Sequence, residues 1–376
     1  MKIEKIIVRK MKMTMKSPFE TSFMKQQERI FLIIEAYGEK HVGYGECVVS
    51  AYPYYGEETA STAFSIIDEF LIPLVINQEF NHPDEVNEKF ARVRRNNMAK
   101  SAVEAAIWDL YAKEQGIPLA HALGGEKKEI TVGISLGIEE DTNVLLESIE
   151  GYLKQGFKKI KIKIKPGKDI EVLRVIRNRF GDIPLMADAN SAYSLEDLPL
   201  FKEMDKLNLM MIEQPLEHDD IVDHRNLQRE LNTPICLDES IHSYDDARRA
   251  IELGSCKVIN IKVGRVGGLS EAKKIHDLCQ QHQIPVWCGG MLESGIGRAH
   301  NIAITTLSNF TIPGDTAPSS RYWHEDIIEP EIVMDDQGHI QVSDLPGIGY
   351  NVVQDKLEKY TIEKYIYEAN EGFSKF

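Results

Sequence analysis

Residues 158–167 read KKIKIKIKPG, and lysine alternates with isoleucine from Lys159 to Lys165. Strict alternation of polar and apolar residues predicts a β-strand, because strand side chains point alternately to the two faces of a sheet. The isoleucines then share one face and the lysines share the other. Four ammonium groups on one face repel one another, so a solvent-exposed basic surface is the simplest interpretation. The alternative is that these lysines point into a functional site.

Further predicted strands on both sides of this segment define the fold class. From about residue 129, short apolar runs alternate with amphipathic segments such as 169–180 and 244–254. Eight strands with intervening helices predict an α/β protein with a (β/α)8-type barrel rather than an open sheet, in which the last helix is missing or altered. The runs are 130–137, 159–164, 183–190, 209–215, 234–240, 257–263, 284–290 and 310–315.

The first third of the chain has a different pattern. Residues 1–15, 28–37 and 41–48 alternate as strands, and helical patterns follow at 58–74, 84–95 and 98–116. The last helix is expected to stop at Gly116 and Pro118. Strands followed by helices predict a separate α+β unit.

Composition limits the partners and the location of the protein. The net charge of −15 over 376 residues argues against nucleic-acid binding, because phosphates would be repelled. No apolar run is long enough for a membrane helix, and the N-terminus lacks the apolar core of a signal peptide. The cysteines are odd in number and form no CxxC pair, which favours reduced, packed thiols in the cytoplasm. They are Cys47, Cys236, Cys256, Cys279 and Cys288.

One charged residue recurs near the end of each middle strand. These residues are Lys163, Asp188, Glu213, Asp238 and Lys262, separated by intervals of 25, 25, 25 and 24 residues. Each interval is one βα unit, and the carboxyl ends of barrel strands converge on the active site. A single acidic residue at a strand end is more often a helix cap, but five residues in phase predict one shared cavity.

This set of residue types indicates a metal-assisted proton abstraction. Three carboxylates in one cavity need a cation, and oxygen ligands suit Mg²⁺, with Mn²⁺ as a substitute. A substrate carboxylate can complete the coordination. A lysine acts as a base only when neutral, and we expect a nearby dication and a second ammonium to depress its pKa. The chemistry predicted is removal of a proton α to a carboxylate, a known use of lysine and Mg²⁺ in enolase-type sites.

The motifs carry a resemblance to a known family. The chain resembles the enolase superfamily, muconate-lactonizing subgroup, and within it the o-succinylbenzoate synthase / N-succinylamino acid racemase family. The resemblance covers essentially the whole chain, and the barrel motifs are specific only in combination. They are KIK at 161–163, DAN at 188–190, IEQP at 212–215, LDES at 237–240 and NIKVGRVGG at 260–268, with GGMLESGIGRAHN at 289–301 and PGD at 313–315.

The resemblance implies roles for individual residues. Lys163 matches the acid–base catalyst, Lys161 the lysine that tunes it, and Lys262 the lysine on the opposite face. The implied metal ligands are Asp188, Glu213 and Asp238. Further positions are implied near the metal ligands or the substrate, and Arg265 matches a position associated with racemase-capable members. The remaining positions are Asn190, Glu239, Ser135, Gly290 and Met291.

The resemblance also implies a (β/α)7β modified TIM barrel with an α+β capping domain. Residues 1–125 would form the cap, completed by about 321–376, and residues 126–320 the barrel. Aromatic residues in the cap are expected either to anchor a buried loop or to form a hydrophobic lid that excludes water from the substrate. They are Phe19 and Phe23, next to Met24, together with Tyr52, Tyr54 and Tyr55.

The implied activity is o-succinylbenzoate synthesis, the Mg²⁺-dependent syn-dehydration of 2-succinyl-6-hydroxy-2,4-cyclohexadiene-1-carboxylate in menaquinone biosynthesis. The alternative is racemisation of N-succinylamino acids or other N-acylamino acids by the same two lysines. Dipeptide epimerisation is disfavoured, because residues 315–317 read Asp-Thr-Ala where such relatives carry Asp-x-Asp. A non-catalytic barrel conflicts with the intact lysines and acids. The expected partner is a small carboxylate substrate, and relatives of this type imply a homo-oligomer.

Overall fold

The computed structural model of the protein describes residues 1–21 and 24–368. The N-terminal third begins with an antiparallel sheet, as the alternating runs predicted. Its long strands are β1 (Lys5–Glu20), β2 (Lys25–Tyr37) and β3 (Val42–Cys47). Met11, Met13 and Met15 of β1 are buried while Lys12 and Thr14 between them are exposed, so the alternation of the sequence becomes the two faces of the strand.

Helices follow the sheet, and the longest packs against β3. They are α1 (Ala60–Ile66), α2 (Ile72–Val75), α3 (Asp84–Phe90), α4 (Asn97–Gln115) and α5 (Leu119–Ala122), and a π-helical turn at Ile67–Leu71 joins α1 to α2. Gly43 and Gly45 permit the packing, because a Cβ at either position would lie 2.0–2.1 Å from a backbone oxygen of α4. As predicted, α4 stops at Gly116, which has the left-handed φ of +67° that favours glycine.

Seven parallel strands, joined in chain order, form the sheet of the barrel. After the short strand β4 (Glu129–Thr131), these strands are β5 (Ile134–Leu136), β6 (Ile160–Lys163), β7 (Leu185–Asp188), β8 (Ile212–Glu213), β9 (Ile235–Leu237), β10 (Val258–Ile261) and β11 (Val286–Cys288). The helices of this region are α6 (Thr142–Lys154), α7 (Ile170–Phe180), α8 (Leu198–Met204), α9 (Val222–Glu230), α10 (Tyr244–Leu253), α11 (Val263–Val266), α12 (Leu269–Gln281) and α13 (Gly295–Thr305).

The eighth predicted strand, 310–315, closes the barrel without forming a regular ladder. Phe310 makes a parallel bridge to Val286 at one edge of the sheet, and Gly314 makes one to Val132 beside the other edge. Pro313 lies between these bridges and has no N–H group to donate, so a continuous ladder is interrupted there. The position of the strand was therefore predicted correctly, and its regularity was not.

The chain after the barrel returns to the N-terminal sheet. Its elements are β12 (Ile328–Glu329), β13 (His339–Gln341), β14 (Asn351–Val352), α14 (Gln354–Tyr360) and β15 (Thr361–Glu368). β15 pairs antiparallel with β1, which places it at the edge of the four-stranded sheet. The architecture is a modified TIM barrel with a cap. The boundaries 1–125, 126–320 and 321–376 stay a prediction.

Buried carboxylates of the cap hold two barrel helices at their N-termini. Glu46 of β3 accepts N–H hydrogen bonds from Ser294 and Gly297 at the start of α13. Glu104 of α4 accepts them from Leu269 and Ser270, the first residues of α12. A carboxylate at a helix N-terminus satisfies free N–H groups and interacts favourably with the helix dipole. These contacts fix the cap over the barrel.

Three lysine side chains of the segment 158–167 lie in the interior of the protein. Ile160 and Ile162 are buried in the large apolar cluster that also contains Leu173 of α7. Lys159, Lys161 and Lys163 alternate with them and are almost completely buried. A solvent-exposed basic face is therefore excluded for these three lysines.

Candidate active site

The five charged residues that recur along the sequence meet at one end of the barrel. Lys163, Asp188 and Glu213 are the last residues of β6, β7 and β8 and are direct neighbours in the sheet register. Asp238 and Lys262 follow the last residues of β9 and β10. All five side chains are buried, and Lys163 is the most accessible at 9%. The prediction that the 25-residue phase brings them together is confirmed.

Lys163 and Lys262 reach this cavity from strands separated by β7, β8 and β9. The Nζ of Lys163 lies 2.6 Å from Oδ2 of Asp188 and 2.5 Å from Oδ1 of Asn190. The Nζ of Lys262 lies 2.8 Å from Oδ2 of Asp238. Each lysine is therefore held by a different carboxylate, and the two ammonium groups belong to opposite sides of the site.

The backbone turns sharply where β7 and β8 end. Asn190, Ser191 and Gln214 have φ values of +42°, +62° and +35°, in the left-handed region. Non-glycine residues are seldom found there, and such strain is concentrated at functional sites. The turn brings the Asn190 side chain back to Lys163, and its Nδ2 donates to Oε1 of Glu239 over 2.7 Å. Both residues were predicted near the metal ligands or the substrate, and the structure places them at the cavity.

Asp315 is a further acidic residue of the site, and it was not among the predicted site residues. Its Oδ2 accepts a hydrogen bond of 2.6 Å from Lys161, and its Oδ1 lies 3.1 Å from Nζ of Lys159. Lys161 also contacts Asp188 and Glu213 at 3.3 and 3.2 Å. The signal was the PGD motif at 313–315, which supports the family resemblance and argues against dipeptide substrates but gave Asp315 no role in the site.

The carboxylates differ in how well their charges are compensated. Burial raises the pKa of Glu213 to about 8, with further contributions from Asp188 and Asp238. Burial opposes ionisation of Asp188 and Asp238 too, but Lys163 beside the former and Arg265 beside the latter hold both pKa values well below the usual range. Of these three carboxyl groups, Glu213 is therefore the one whose ionisation is least compensated by neighbouring cations.

The carboxylates of the site and burial act in opposite directions on the pKa values of Lys161 and Lys262. Burial lowers the pKa of Lys161 and Lys262, but the carboxylates of Asp315 and Asp238 outweigh burial and raise both values. The expectation of a depressed base concerned a lysine beside a bound dication, and it stays a prediction. For Lys159, burial outweighs the nearby carboxylates and leaves the pKa below its usual value.

The donor set fits a hard cation such as Mg²⁺. Asp188, Glu213 and Asp238 offer only oxygen, and the raised pKa of Glu213 marks a place where added positive charge is favourable. Oε2 of Glu239 is buried and has no hydrogen-bond partner within residues 1–21 and 24–368. In the same part of the chain, no three acidic, histidine or cysteine side chains are already arranged as metal ligands. Lys163, Lys161, Lys262 and Arg265 instead contact the acids.

Tyr55 and Arg265 form a polar network around Lys262. The Tyr55 hydroxyl lies 2.9 Å from Nζ of Lys262 and 3.0 Å from Nη1 of Arg265. Arg265 also donates to Asp238 and to the backbone oxygens of Ile241 and Asn260. Tyr55 was expected either to anchor a buried loop or to form part of a hydrophobic lid, and the structure adds a hydrogen-bonding contact with a site lysine. Arg265 therefore contacts both Asp238 and Tyr55 through its side chain.

The remaining predicted residues line the cavity around the lysines. Ser135 of β5 lies beside Lys161 in register, and its buried Oγ has no hydrogen-bond partner in the described part of the chain. Phe19 and Gly290 border the same space. Met24, Tyr52 and Met291 line its extension toward the cap, whereas Tyr54 borders a neighbouring cavity. Phe23 lies outside the described residues.

The arrangement defines a class of protein: a capped barrel with two opposed lysines and a set of buried carboxylates at its mouth, as in enzymes that remove a proton α to a carboxylate. A mandelate racemase / muconate lactonizing enzyme N-terminal domain model matches residues 2–124, and an enolase C-terminal domain-like model matches residues 144–356. The chain belongs to the o-succinylbenzoate synthase / N-succinylamino acid racemase family of the enolase superfamily.

Relatives of known name cover nearly the whole chain. An o-succinylbenzoate synthase of Geobacillus kaustophilus is 56% identical over 360 residues, which cover 96% of either chain. An N-succinylamino acid racemase of Thermus thermophilus is 44% identical and covers 96% of this chain and 98% of its own. An enolase superfamily structure from Listeria innocua matches with a TM-score of 0.95 at 42% identity, over 98% of this chain and 100% of the other.

Two general predictions can be compared with the structure. Among residues 1–21 and 24–368, no helix is long and apolar enough to span a membrane. The five cysteines are buried and unpaired, as predicted for packed thiols.

Proposed function

We propose that the protein is an o-succinylbenzoate synthase that dehydrates 2-succinyl-6-hydroxy-2,4-cyclohexadiene-1-carboxylate. The observation that carries the proposal is the opposed pair Lys163 and Lys262, each bound to a different buried carboxylate in one cavity. The names of relatives that are 54–56% identical over at least 96% of this chain support the choice of substrate.

Lys163 is proposed as the acid–base catalyst. Its Nζ takes the proton from the carbon α to the substrate carboxylate, and the electron pair of that C–H bond moves into an enediolate. When the C–O bond to the hydroxyl breaks, the enediolate electrons form the new ring double bond. In a syn elimination the hydroxyl leaves from the face that lost the proton, so Lys163 returns its proton and water departs. Lys262 contributes positive charge from the other face.

We propose Asp188, Glu213 and Asp238 as the residues that hold Mg²⁺, the ion used by members of this superfamily. Bound Mg²⁺ would supply positive charge that stabilises the enediolate. Lys161, fixed by Asp315, adds a permanent ammonium beside the same acids. Manganese as a substitute, the cytoplasmic location, the homo-oligomeric state and the lack of a nucleic-acid partner stay predictions.

Racemisation of N-succinylamino acids is the second candidate, favoured by the placement of a lysine on each face. Lys163 would then deprotonate one enantiomer and Lys262 the other. The contact of Arg265 with Asp238 and Tyr55 places this predicted racemase-associated residue beside Lys262.

The deciding experiment assays the purified protein with Mg²⁺ on the cyclohexadiene precursor and on N-succinylamino acids in parallel. We expect dehydration with the higher kcat/KM, together with slower racemisation. Racemisation without dehydration would refute the synthase assignment and favour the second candidate. Inactivity with both substrates would refute both functions.

A further inference from the structure

Arg29 of β2 is a buried cation that the proposed chemistry does not use. Its side chain is 3% exposed, and its guanidinium carbon lies 5.9 Å from the centre of the Phe31 ring. Within the described ranges 1–21 and 24–368, its Nε and Nη2 have no hydrogen-bond partner. Arg265, at the same cavity, donates from all three of its nitrogens. In the described residues, Arg29 therefore has two buried nitrogens without an acceptor, whereas each side-chain nitrogen of Arg265 donates at least one hydrogen bond.

Burying such donors without partners costs stability, so their retention calls for a physical reason. The carboxylates of Glu46 and Glu293 are close enough to offset part of the effect of burial, which lowers the pKa of Arg29. Glu46, however, accepts from Ser294 and Gly297, and Glu293 accepts from Met291 and Asn301. They provide charge for Arg29 but do not occupy its Nε and Nη2.

Arg29 lines the same cavity as the two site lysines. Apolar side chains, including Phe19, Met24 and Met291, border the space between the cap and the barrel mouth, where Lys163 and Lys262 lie. The cavity thus has a cationic group on the cap side, apolar walls, and the proposed reaction centre on the barrel side. Such a distribution fits a dianion whose two carboxylates are separated by a short apolar chain.

We propose that Arg29 binds the terminal carboxylate of the substrate's succinyl chain. The inference rests on the proposed function, because o-succinylbenzoate, its precursor and N-succinylamino acids all carry this chain. A guanidinium matches a carboxylate with two parallel N–H donors. Arg29 would select succinylated substrates over those with neutral acyl groups, and it would act on binding rather than on proton transfer.

The test compares each succinyl compound with its succinamoyl analogue, in which an uncharged amide replaces the terminal carboxylate. Calorimetry with Mg²⁺ measures binding of o-succinylbenzoate and its analogue, and kinetics measures the N-acylamino acid pair. Wild-type protein should prefer the succinyl member by about 10- to 100-fold, the range for a hydrogen bond between charged groups. The preference should appear mainly in KM.

Arg29→Met should reduce this preference to near unity, and Arg29→Lys should retain part of it. Lys12→Met, which removes a cation from the exposed face of β1, should retain the wild-type preference. A wild-type preference near unity would overturn the inference even if Arg29→Met does not fold. An unchanged preference in folded Arg29→Met would also overturn it. Because the product-binding assay needs no turnover, failure of catalysis is distinguishable from failure of the Arg29 assignment.

Discussion

Replacing Asp315 with asparagine removes one carboxylate that forms ion pairs with two buried lysines, Lys159 and Lys161. Asp315 lies 2.6 Å from Lys161 and 3.1 Å from Lys159, and neither lysine is more than 3% exposed. Removing one partner of a buried ion pair costs about 3–5 kcal/mol when the remaining charge is left uncompensated, as it is for Lys159; Lys161 keeps its contacts with Asp188 and Glu213. The expected loss in Asp315→Asn is therefore about 3–5 kcal/mol in the free energy of unfolding, a large part of the ~5–15 kcal/mol typical of a folded protein.

The matched control is Asp344→Asn. Asp344 pairs with Lys128 at 3.3 Å, but the side chains are 81% and 67% exposed. Such a pair contributes only about 0–1 kcal/mol. Urea denaturation of wild type and both variants measures the difference. Equal unfolding free energies for the two variants would refute the argument that Asp315 neutralises the interior lysines. The folded fraction of Asp315→Asn should also have a lower kcat, because Lys161 loses its closest contact.

Three further predictions concern the metal ligands, the opposite lysine and the cap. Asp238→Asn should weaken Mg²⁺ binding measured by calorimetry, and EDTA should abolish turnover of the wild-type protein. An unchanged Mg²⁺ affinity, or full activity in EDTA, would contradict the assignment of these carboxylates as metal ligands. Lys262→Ala should disable dehydration and racemisation, whereas Lys262→Arg should keep some dehydration if a cation suffices at this position. Equal activity of Lys262→Ala and wild type would exclude a role for Lys262 in catalysis. Burial raises the pKa of Glu46 to about 7 from 4.5. Because the folded state binds the Glu46 proton more tightly than the unfolded state does, protonation of Glu46 stabilises the fold. This contribution is fully present below pH 4.5 and is lost as the pH rises to 7. Glu46→Gln should therefore gain about 3 kcal/mol relative to wild type between pH 5 and 8 in urea denaturation; a pH-independent difference would contradict the burial argument.

The barrel and most of its site were predictable from the sequence because one period governs both. A βα unit of about 25 residues repeats, so residues in phase reach the same end of the barrel, as Lys163 and Asp188 do. The alternation in 158–167 predicted that the lysines share one face of the strand and the isoleucines the other. The Nζ of Lys159 lies 3.4 Å from the centre of the Trp287 ring and 3.1 Å from Asp315.

Other features depend on contacts that sequence spacing does not encode. Asp315 lies outside the 25-residue phase, and only closure of the barrel brings it to Lys161. Tyr55 belongs to the cap, and its hydroxyl meets Lys262 across 207 residues of sequence. Arg29 lies on a strand that also carries exposed charges, so nothing in the local pattern separates it from a surface residue. The pKa directions of the lysines likewise follow from carboxylates on neighbouring strands.

The central claim is that Lys163 removes the substrate α-proton. The most direct measurement is the dehydration rate of Lys163→Ala with the cyclohexadiene precursor, made on samples whose Mg²⁺ binding is checked by calorimetry. We predict that kcat falls by at least about 10²–10⁴-fold, the usual contribution of a positioned acid–base group, while Mg²⁺ binding is retained. Turnover within tenfold of wild type, in folded Lys163→Ala that binds Mg²⁺, would contradict the claim.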